Sequence, residues 1–225
     1  MVYLDLNEPI VNIVIRSLYV SGVASLLAFI TAIVLCYYYS GRSRRSVDLI
    51  ASIFEALVGV PTTIIGLLVY YLLYPNGPLG FMRLLYTPYA IIIGQFLVAL
   101  PIAVVSLIRQ FYNVRKRIRE LILSLGLQSS RVEIILVLRE LTPILASTYL
   151  LAFSRCIGEL GVAMIAGGAI EGYTSVLTTT IAVQTSMGNF EEALVLGLVL
   201  ISLTLLTAIL IKSLSKILAG AFHYE

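Results

Sequence analysis

Charged residues are scarce in this sequence. Asp, Glu, Lys and Arg together make up 12% of the 225 residues, whereas they make up about a quarter of a typical soluble domain. Hydrophobic residues make up 60%, and a soluble domain of this size has too little interior to bury so many of them. The composition excludes a cytosolic enzyme and a disordered protein, and it predicts a membrane protein.

Cysteine and histidine are also rare, and their placement excludes a secreted disulfide scaffold. Cys36 lies in the apolar run IVLCYYY and Cys156 in AFSRCIGEL, without a CxxC spacing or a neighbouring histidine. We interpret both cysteines as small buried hydrophobic residues, and we predict no catalytic site, cofactor site or metal site. The net charge of +3 is spread too thinly to favour nucleic acid as a partner.

Long apolar runs are abundant, and five of them are long enough to cross a bilayer. Because they are continuously apolar rather than alternating, they predict an all-α membrane protein and exclude a strand barrel. The runs cover residues 11–39, 50–74, 86–108, 142–166 and 193–211.

We expect one transmembrane domain over residues 1–225. In it, 11–39 is an uncleaved anchor helix and 50–211 is the core. Residues 169–190 are polar and rich in threonine, which predicts an external loop with a short, re-entrant helix.

The basic residues predict the orientation. Twelve of the fifteen lysines and arginines fall in three segments: around residues 42–45, between 109 and 142, and in the C-terminal tail. Because translocation disfavours positive charge, these segments belong on the cytoplasmic side. The N-terminus is therefore expected outside and the C-terminus inside.

The cytoplasmic segment 109–142 has the pattern of a helix, a turn and a second helix. Apolar residues recur at helical spacing and the stretch ends at Gly126, while Ser129 or Ser130 can cap the next helix. The recurring residues are Ile118, Leu121, Ile122 and Leu125. A short amphipathic helix of this kind either docks into a groove of a partner or rests on lipid headgroups.

The same segment carries Glu120 ahead of Gly126, and Pro143 follows it. This pattern resembles the signature loop of the permease subunits of ATP-binding-cassette (ABC) importers, in which a Glu and a Gly stand at the same separation and a proline is often found beyond them. The signature's two alanines are replaced here by Leu121 and Ile122. The resemblance implies that Glu120, Leu121, Leu125 and Gly126 couple the chain to an ATPase.

Further motifs lie within about residues 50–200, namely the runs VGVPTTIIGLL, GPLGFMRLLYTPYAIIIGQ, LVALPI, SRCIGELGVAMIAGGAI and VLTTTIAVQTSMGNF. These runs resemble the permeases of tungstate importers. The wider relatives of that group carry molybdate, sulfate and thiosulfate, so molybdate and sulfate stay open as alternative substrates.

The resemblance implies the fold of a type I ABC importer permease in a prokaryotic plasma membrane. The implied partners are a second copy of the chain, two ATPase subunits and an external oxyanion-binding protein. The sequence has no G-x-x-x-x-G-K-[ST] motif, so ATP and Mg²⁺ are expected on the ATPase partner and the chain is not itself an enzyme.

Two charged residues lie inside the fourth apolar run. Arg155 and Glu159 are four residues apart, which places them on one face of a continuous helix and allows them to pair. They either lock the packing, with contacts to Glu55 or Gln95, or line a gate. A divalent oxyanion is expected to pass hydroxyls, backbone N–H groups and glycines rather than a strong cationic site. The candidates for that path are Gly167, Gly168, Thr178, Thr179 and Thr180.

Two other classes of protein, an intramembrane enzyme and a passive membrane scaffold, explain fewer features of the sequence than a permease does. An intramembrane enzyme needs paired catalytic groups at depth, and Arg155 and Glu159 have no histidine or Ser–Lys arrangement beside them. A passive membrane scaffold explains the hydrophobicity but not the patterned segment 109–142.

Overall fold

The structure is a computed structural model that describes residues 9–126 and 130–221, with side chains through residue 213. Within these ranges the chain forms helices and no strand. The helices are α1 (Ile10–Ser40), α2 (Arg44–Val58), α3 (Thr62–Leu73), a 3₁₀ turn (Gly80–Met82), α4 (Pro88–Ser124), α5 (Ser130–Ile157), α6 (Gly161–Ile165), α7 (Leu177–Met187) and α8 (Phe190–Ala221).

Four of the described helices, namely α1, α4, α5 and α8, are long and apolar enough to cross a membrane. Helices α2 and α3 form a fifth span if they are taken together as one interrupted segment. The predicted all-α membrane fold is confirmed. The outside position of the N-terminus and the division into anchor 11–39, core 50–211 and loop 169–190 stay predictions, although α7 falls inside that loop.

Two of the predicted spans are interrupted in the structure. Residues 50–74 divide between Val58, where α2 ends, and Thr62, where α3 begins, with Gly59 and Pro61 as the cap residues. Pro61 has no N–H to donate and keeps the preceding residue out of the helical region, so it starts a helix more readily than it continues one. Residues 142–166 divide after Ile157, and the short helix α6 follows.

The third predicted span, residues 86–108, is shorter than the helix that contains it, because α4 continues well beyond residue 108. It is one helix of 37 residues that passes through Pro101 and ends at Ser124. Hydropathy reports where a helix lies in lipid, whereas the helix itself continues into the polar sequence beyond.

The described residues form two compact units. The first contains residues up to Leu27, Val60–Ala99 and Phe153–Leu206, and the second contains Ala28–Gly59, Leu100–Ala152 and residues from Thr207 onward. The second unit is built around a continuous buried core that includes Cys36, Phe111 and Leu141.

The first unit has two smaller cores. One joins α3, α4 and α6 through Val69, Val98 and Val162, and the other joins α1, α7 and α8 through Ile13, Leu177 and Leu196. Both cysteines are free and buried, as predicted.

Glycines bring the helices of the first unit into close contact. A Cβ atom at Gly66 of α3 would lie 3.1 Å from the carbonyl oxygen of Gly161 and 3.1 Å from Cα of Val162. A Cβ atom at Gly94 of α4 would overlap Cγ1 of Val162. Small residues allow such backbone approach in membrane helices, where dispersion contacts replace the hydrophobic effect as the driving force.

These contacts predict opposite effects for the same substitution at two glycines. Gly94→Ala is expected to lower the stability by about 1–3 kcal/mol because the added methyl overpacks the contact with Val162. Gly22→Ala in α1 meets no described atom within 4 Å and is expected to be neutral or stabilising by up to about 1 kcal/mol. Thermal unfolding in one detergent measures both, and equal midpoints would contradict the packing described.

Candidate functional site

The end of α4 and the start of α5 form a hairpin, here called the α4–α5 hairpin (residues 109–142). After Ser124, Leu125 and Gly126 form a turn in which the Gly126 N–H donates to the carbonyl of Leu123 at 3.1 Å. Gly126 has a φ of +69°, a left-handed conformation that glycine adopts without steric cost. Helix α5 begins at Ser130, while Ser129, the other predicted cap, lies outside the described residues.

The apolar residues of the hairpin face two different surroundings. Ile118 and Ile122 are buried in the core of the second unit, whereas Leu121, Leu123 and Leu125 are 53%, 59% and 64% exposed. The predicted apolar face is therefore divided, and half of it faces away from the protein. Exposed apolar side chains at the end of a hairpin, among basic residues, are typical of an interaction site.

The predicted coupling residues lie at this exposed tip. Glu120 and Gly126 are exposed together with Leu121 and Leu125. The short helix expected to lie across the inner surface is not a separate element, because its residues are the last turns of α4. Its ATPase-coupling role stays a prediction.

A cluster around Arg115 fixes the hairpin to α1. Arg115 Nε donates to Glu133 Oε1 at 2.5 Å, which joins α4 to α5. Its Nη1 donates to the Tyr37 carbonyl at 2.9 Å and to Ser40 Oγ at 3.2 Å at the end of α1. The guanidinium also lies 4.4 Å from the centre of the Tyr37 ring. We call these four residues the Arg115 clamp.

The clamp is partly buried, which distinguishes it from ordinary surface ion pairs. The side chains of Arg115 and Glu133 are 18% and 15% exposed, so water screens their attraction less than at the surface. A charge-assisted bond of this length is stronger than a neutral hydrogen bond. The three helix segments are thus held by one guanidinium.

Two further arginines form ion pairs beside the clamp, on more exposed surfaces. Arg117 pairs with Glu140 across the hairpin. Arg109 lies 2.6 Å from Glu55 and 3.9 Å from Asp48, which joins α4 to α2. Exposed pairs stabilise by about 0–1 kcal/mol each, so their main contribution is to orient α4, α5 and α2.

The second candidate region is the segment between α5 and α7, here called the crossover (residues 157–179). The predicted pair of Arg155 and Glu159 lies at its start, where Arg155 Nη1 at the end of α5 donates to Glu159 Oε2 at 2.6 Å. The predicted pairing is confirmed, but the predicted continuous helix is wrong, because α5 ends at Ile157. The Glu159 side chain is 1% exposed and that of Arg155 is 34% exposed.

Glu159 explains why the helix breaks at this point. Its Oε1 accepts the backbone N–H of Val162 at 3.2 Å, as a capping residue does at the start of a helix. One carboxylate therefore has two roles: it neutralises the charge of Arg155, and it accepts a backbone N–H in the first turn of α6. Pairing in this way lowers the cost of placing two charges at membrane depth.

Other side chains satisfy the backbone groups that the breaks leave free. Gln95 Nε2 donates to the Cys156 carbonyl at 3.0 Å, and Ser17 Oγ accepts the Leu177 N–H at 2.8 Å. The sequence predicts Gln95 as a contact of the Arg155–Glu159 pair, whereas its observed partner is the backbone carbonyl next to Arg155. Glu55 pairs with Arg109 instead.

Arg16 was not identified as a functional candidate, although it lies alone in the first apolar run. Its Nη1 donates to the carbonyl and hydroxyl of Ser175 at 2.7 and 2.8 Å, and its Nη2 donates to the Gly172 carbonyl at 2.9 Å. It therefore fastens the residues before α7 to α1. A lone arginine within an apolar run is the signal that could have identified it.

The three threonines predicted for the anion path lie at the start of α7. Thr178 and Thr179 are buried, and their hydroxyls donate at 2.9 Å to the carbonyls of Glu159 and Val176. The Thr180 hydroxyl donates to Val176 at 3.0 Å. In this conformation the hydroxyls bond within the chain, so contact with an anion requires a rearrangement.

The two predicted path glycines lie just after α6. Gly167 is buried and its carbonyl accepts the Thr174 hydroxyl at 2.7 Å. Gly168 is exposed, and its φ of +74° and close approach to the Tyr86 ring favour glycine. The path role of these five residues stays a prediction. Among the described residues, no group of three His, Cys, Asp or Glu side chains could hold a metal ion.

Removing one partner of the buried pair tests its contribution. Arg155→Met is expected to lower the stability by about 3 kcal/mol, near the lower end for a broken buried pair because Arg155 is partly exposed. The double variant Arg155→Met/Glu159→Gln should recover much of this loss, since Gln is uncharged and can still accept the Val162 N–H. Thermal unfolding of both variants checks this, and a double variant as unstable as the single one would contradict it.

The chain is similar to three proteins that are named as permeases. It is 37% identical over 210 residues to the tungstate uptake system permease protein TupB of Peptoclostridium acidaminophilum, covering 93% of this chain and 92% of the relative. It is 36% identical over 164 residues to TupB of Campylobacter jejuni, covering 73% of this chain and 67% of the relative.

The third relative is the probable anion ABC transporter permease protein of Haloferax volcanii, 32% identical over 207 residues and 89% of each chain. No family model matches the chain. Identity above 30% over nearly the whole of two relatives, together with the long apolar helices, leads to one conclusion. The chain belongs to the family of ABC-transporter permeases that includes TupB.

Proposed function

We propose that this chain is the transmembrane permease subunit of an ATP-driven tungstate importer. Its relatives support this proposal, because two of the three are named for tungstate uptake and the third for an anion. Molybdate and sulfate are the rival substrates, and none of these names favours them. The chain is a non-enzymatic, multi-pass protein of the prokaryotic plasma membrane.

The proposed assembly contains two copies of the chain around a central path. Two ATPase subunits bind on the cytoplasmic side, and an oxyanion-binding protein delivers the substrate outside. ATP and Mg²⁺ belong to the ATPase subunits, because this sequence has no phosphate-binding Gly-rich motif of its own.

The observation that carries the proposal is the exposed apolar tip of the α4–α5 hairpin. Leu121, Leu123 and Leu125 are each more than half exposed, next to a run of basic residues that the orientation rule assigns to the cytoplasm. Burying these leucines against a partner removes apolar surface from water, which lowers the free energy of the complex. In an ABC importer the partner at this position is a groove of the ATPase subunit.

The Arg115 clamp gives the hairpin a means to transmit movement. Because Arg115 bonds to Glu133 of α5 and to Tyr37 of α1, a displacement of the tip moves the ends of three helices together. Helices α4 and α5 continue from the hairpin into their apolar portions. Closure of the ATPase subunits would thus tilt these helices and expose the path to one side at a time.

The crossover supplies a weak rather than a strong anion contact. Arg155 is partly exposed, yet its charge is offset by the buried Glu159 at 2.6 Å. An unpaired arginine would bind a divalent oxyanion too tightly for release, whereas a paired one attracts it only modestly. We therefore assign Arg155 and Glu159 to the gate, with the Thr178–Thr180 hydroxyls becoming available when the crossover opens.

The left-handed turn at Gly126 offers a direct test of the hairpin. Because no described atom lies within 4 Å of an added Cβ, the effect of Gly126→Leu is one of backbone strain, about 1–2 kcal/mol. We expect about a tenfold loss of ATP-dependent tungstate uptake, as such strain weakens docking by that factor. Uptake by cells that carry the whole transporter is the measurement.

Gly126→Asn is the matched control, because asparagine tolerates the left-handed conformation. It should keep most of the uptake, with both variants at wild-type levels in the membrane. Normal uptake by Gly126→Leu would refute the role of the turn, and equal losses in both variants would show that strain is not the cause.

A further inference from the structure

The second unit contains an open groove of about 560 Å³ beside the Arg115 clamp. One part of its wall is apolar and is formed by Val34 of α1 and by Ile134 and Leu138 of α5. The other part is polar and is formed by Tyr38, Arg42 and Arg115, where α1 ends and the chain turns toward α2. The groove is therefore amphipathic along its length.

Arg42 provides the charge of the groove. It is exposed, its Nη2 donates to the Tyr38 hydroxyl at 2.9 Å, and its guanidinium lies 5.1 Å from the Tyr38 ring centre. Among the described residues no carboxylate pairs with it. Arg115, the other cation in the wall, is already paired with Glu133. Arg42 is thus positioned by an aromatic ring and keeps its charge for another anion.

We propose that this groove binds an anionic phospholipid. Its phosphate would contact Arg42 and the Tyr38 hydroxyl, and an acyl chain would follow Val34, Ile134 and Leu138. The site lies at the end of the apolar helix α1, the depth at which a headgroup meets the hydrocarbon. A free phosphate would satisfy the arginine but leave the apolar wall uncovered.

The groove shares Arg115, Ile134 and Leu138 with the α4–α5 hairpin. Arg115 belongs to the clamp, and Ile134 follows Glu133 directly in α5. A lipid in the groove therefore braces α1 against α5 at the point where the clamp joins them. The bound lipid stabilises the folded chain by linkage, and a lipid that binds more tightly stabilises it more.

The test uses the full-length chain, purified in detergent with the subunits that copurify with it. Phosphatidylglycerol and phosphatidylcholine with identical acyl chains are added separately, and lipid binding is followed by native mass spectrometry and by the thermal unfolding midpoint. We expect phosphatidylglycerol to bind about fivefold more tightly, as expected for one basic residue near an anionic headgroup.

Arg42→Gln should remove this preference. Arg44→Gln is the matched control, because Arg44 is 80% exposed, lies 3.9 Å from Asp48 and does not line the groove. It removes the same charge two residues away and should leave the preference intact. Equal affinity for both lipids in the wild type, or equal losses in the two variants, would overturn the proposal.

Val34→Trp tests the apolar half, because Val34 is 62% exposed and a larger ring there fills the groove. It should weaken binding of both lipids while retaining Arg42. Inorganic phosphate alone should leave the unfolding midpoint unchanged, and stabilisation by phosphate would show a simple anion site instead. A change from dimer to monomer in Val34→Trp would show that a second copy of the chain occupies the groove.

Discussion

The guanidinium of Arg115 is the contact on which the arrangement of the second unit depends. It bonds to a carboxylate of α5, a carbonyl of α1 and a hydroxyl at the end of α1, and it packs on the Tyr37 ring. Three helix segments meet at this one side chain, and Tyr37 lies 78 residues from Arg115 in the sequence. The Ile118 and Ile122 side chains reach the core from the same helix, so the leucines of the tip are left to face outward. Both the proposed ATPase contact and the proposed lipid groove follow from this geometry.

Side-chain hydrogen bonds likewise stabilise the places where the helices are interrupted. A helix that breaks at membrane depth leaves N–H and carbonyl groups without partners, and lipid offers none. The crossover meets this constraint with side chains: Glu159 accepts from Val162, Gln95 donates to Cys156 and Ser17 accepts from Leu177. Polar residues that look misplaced in an apolar sequence thus have structural partners. Opening the crossover requires these bonds to exchange, as its proposed role as the gate demands.

Sequence reasoning predicted the helical membrane fold, the buried cysteines and the turn at Gly126, because each depends on local composition or on one residue's conformational freedom. It missed the break after Ile157, because the spacing of Arg155 and Glu159 is that of a continuous helix. The Glu159 carboxylate instead accepts the Val162 N–H, and residue spacing does not reveal such a bond. It could not predict that Leu121 and Leu125 are exposed while Ile118 and Ile122 are buried. Periodicity identifies an apolar face of a helix but does not show which part of that face another helix covers. The partners of Arg115 come from distant segments, so no local pattern identifies them.

Transport by the assembled system is the most direct test of the account. Proteoliposomes that contain this chain, its ATPase subunits and its external binding protein can be supplied with tungstate, molybdate and sulfate at equal concentrations. We predict that tungstate accumulates only when ATP reaches the ATPase subunits, and that it is taken up in preference to the other two anions. Accumulation without ATP would contradict the proposed coupling through the hairpin, and preferential uptake of molybdate or sulfate would contradict the proposed substrate.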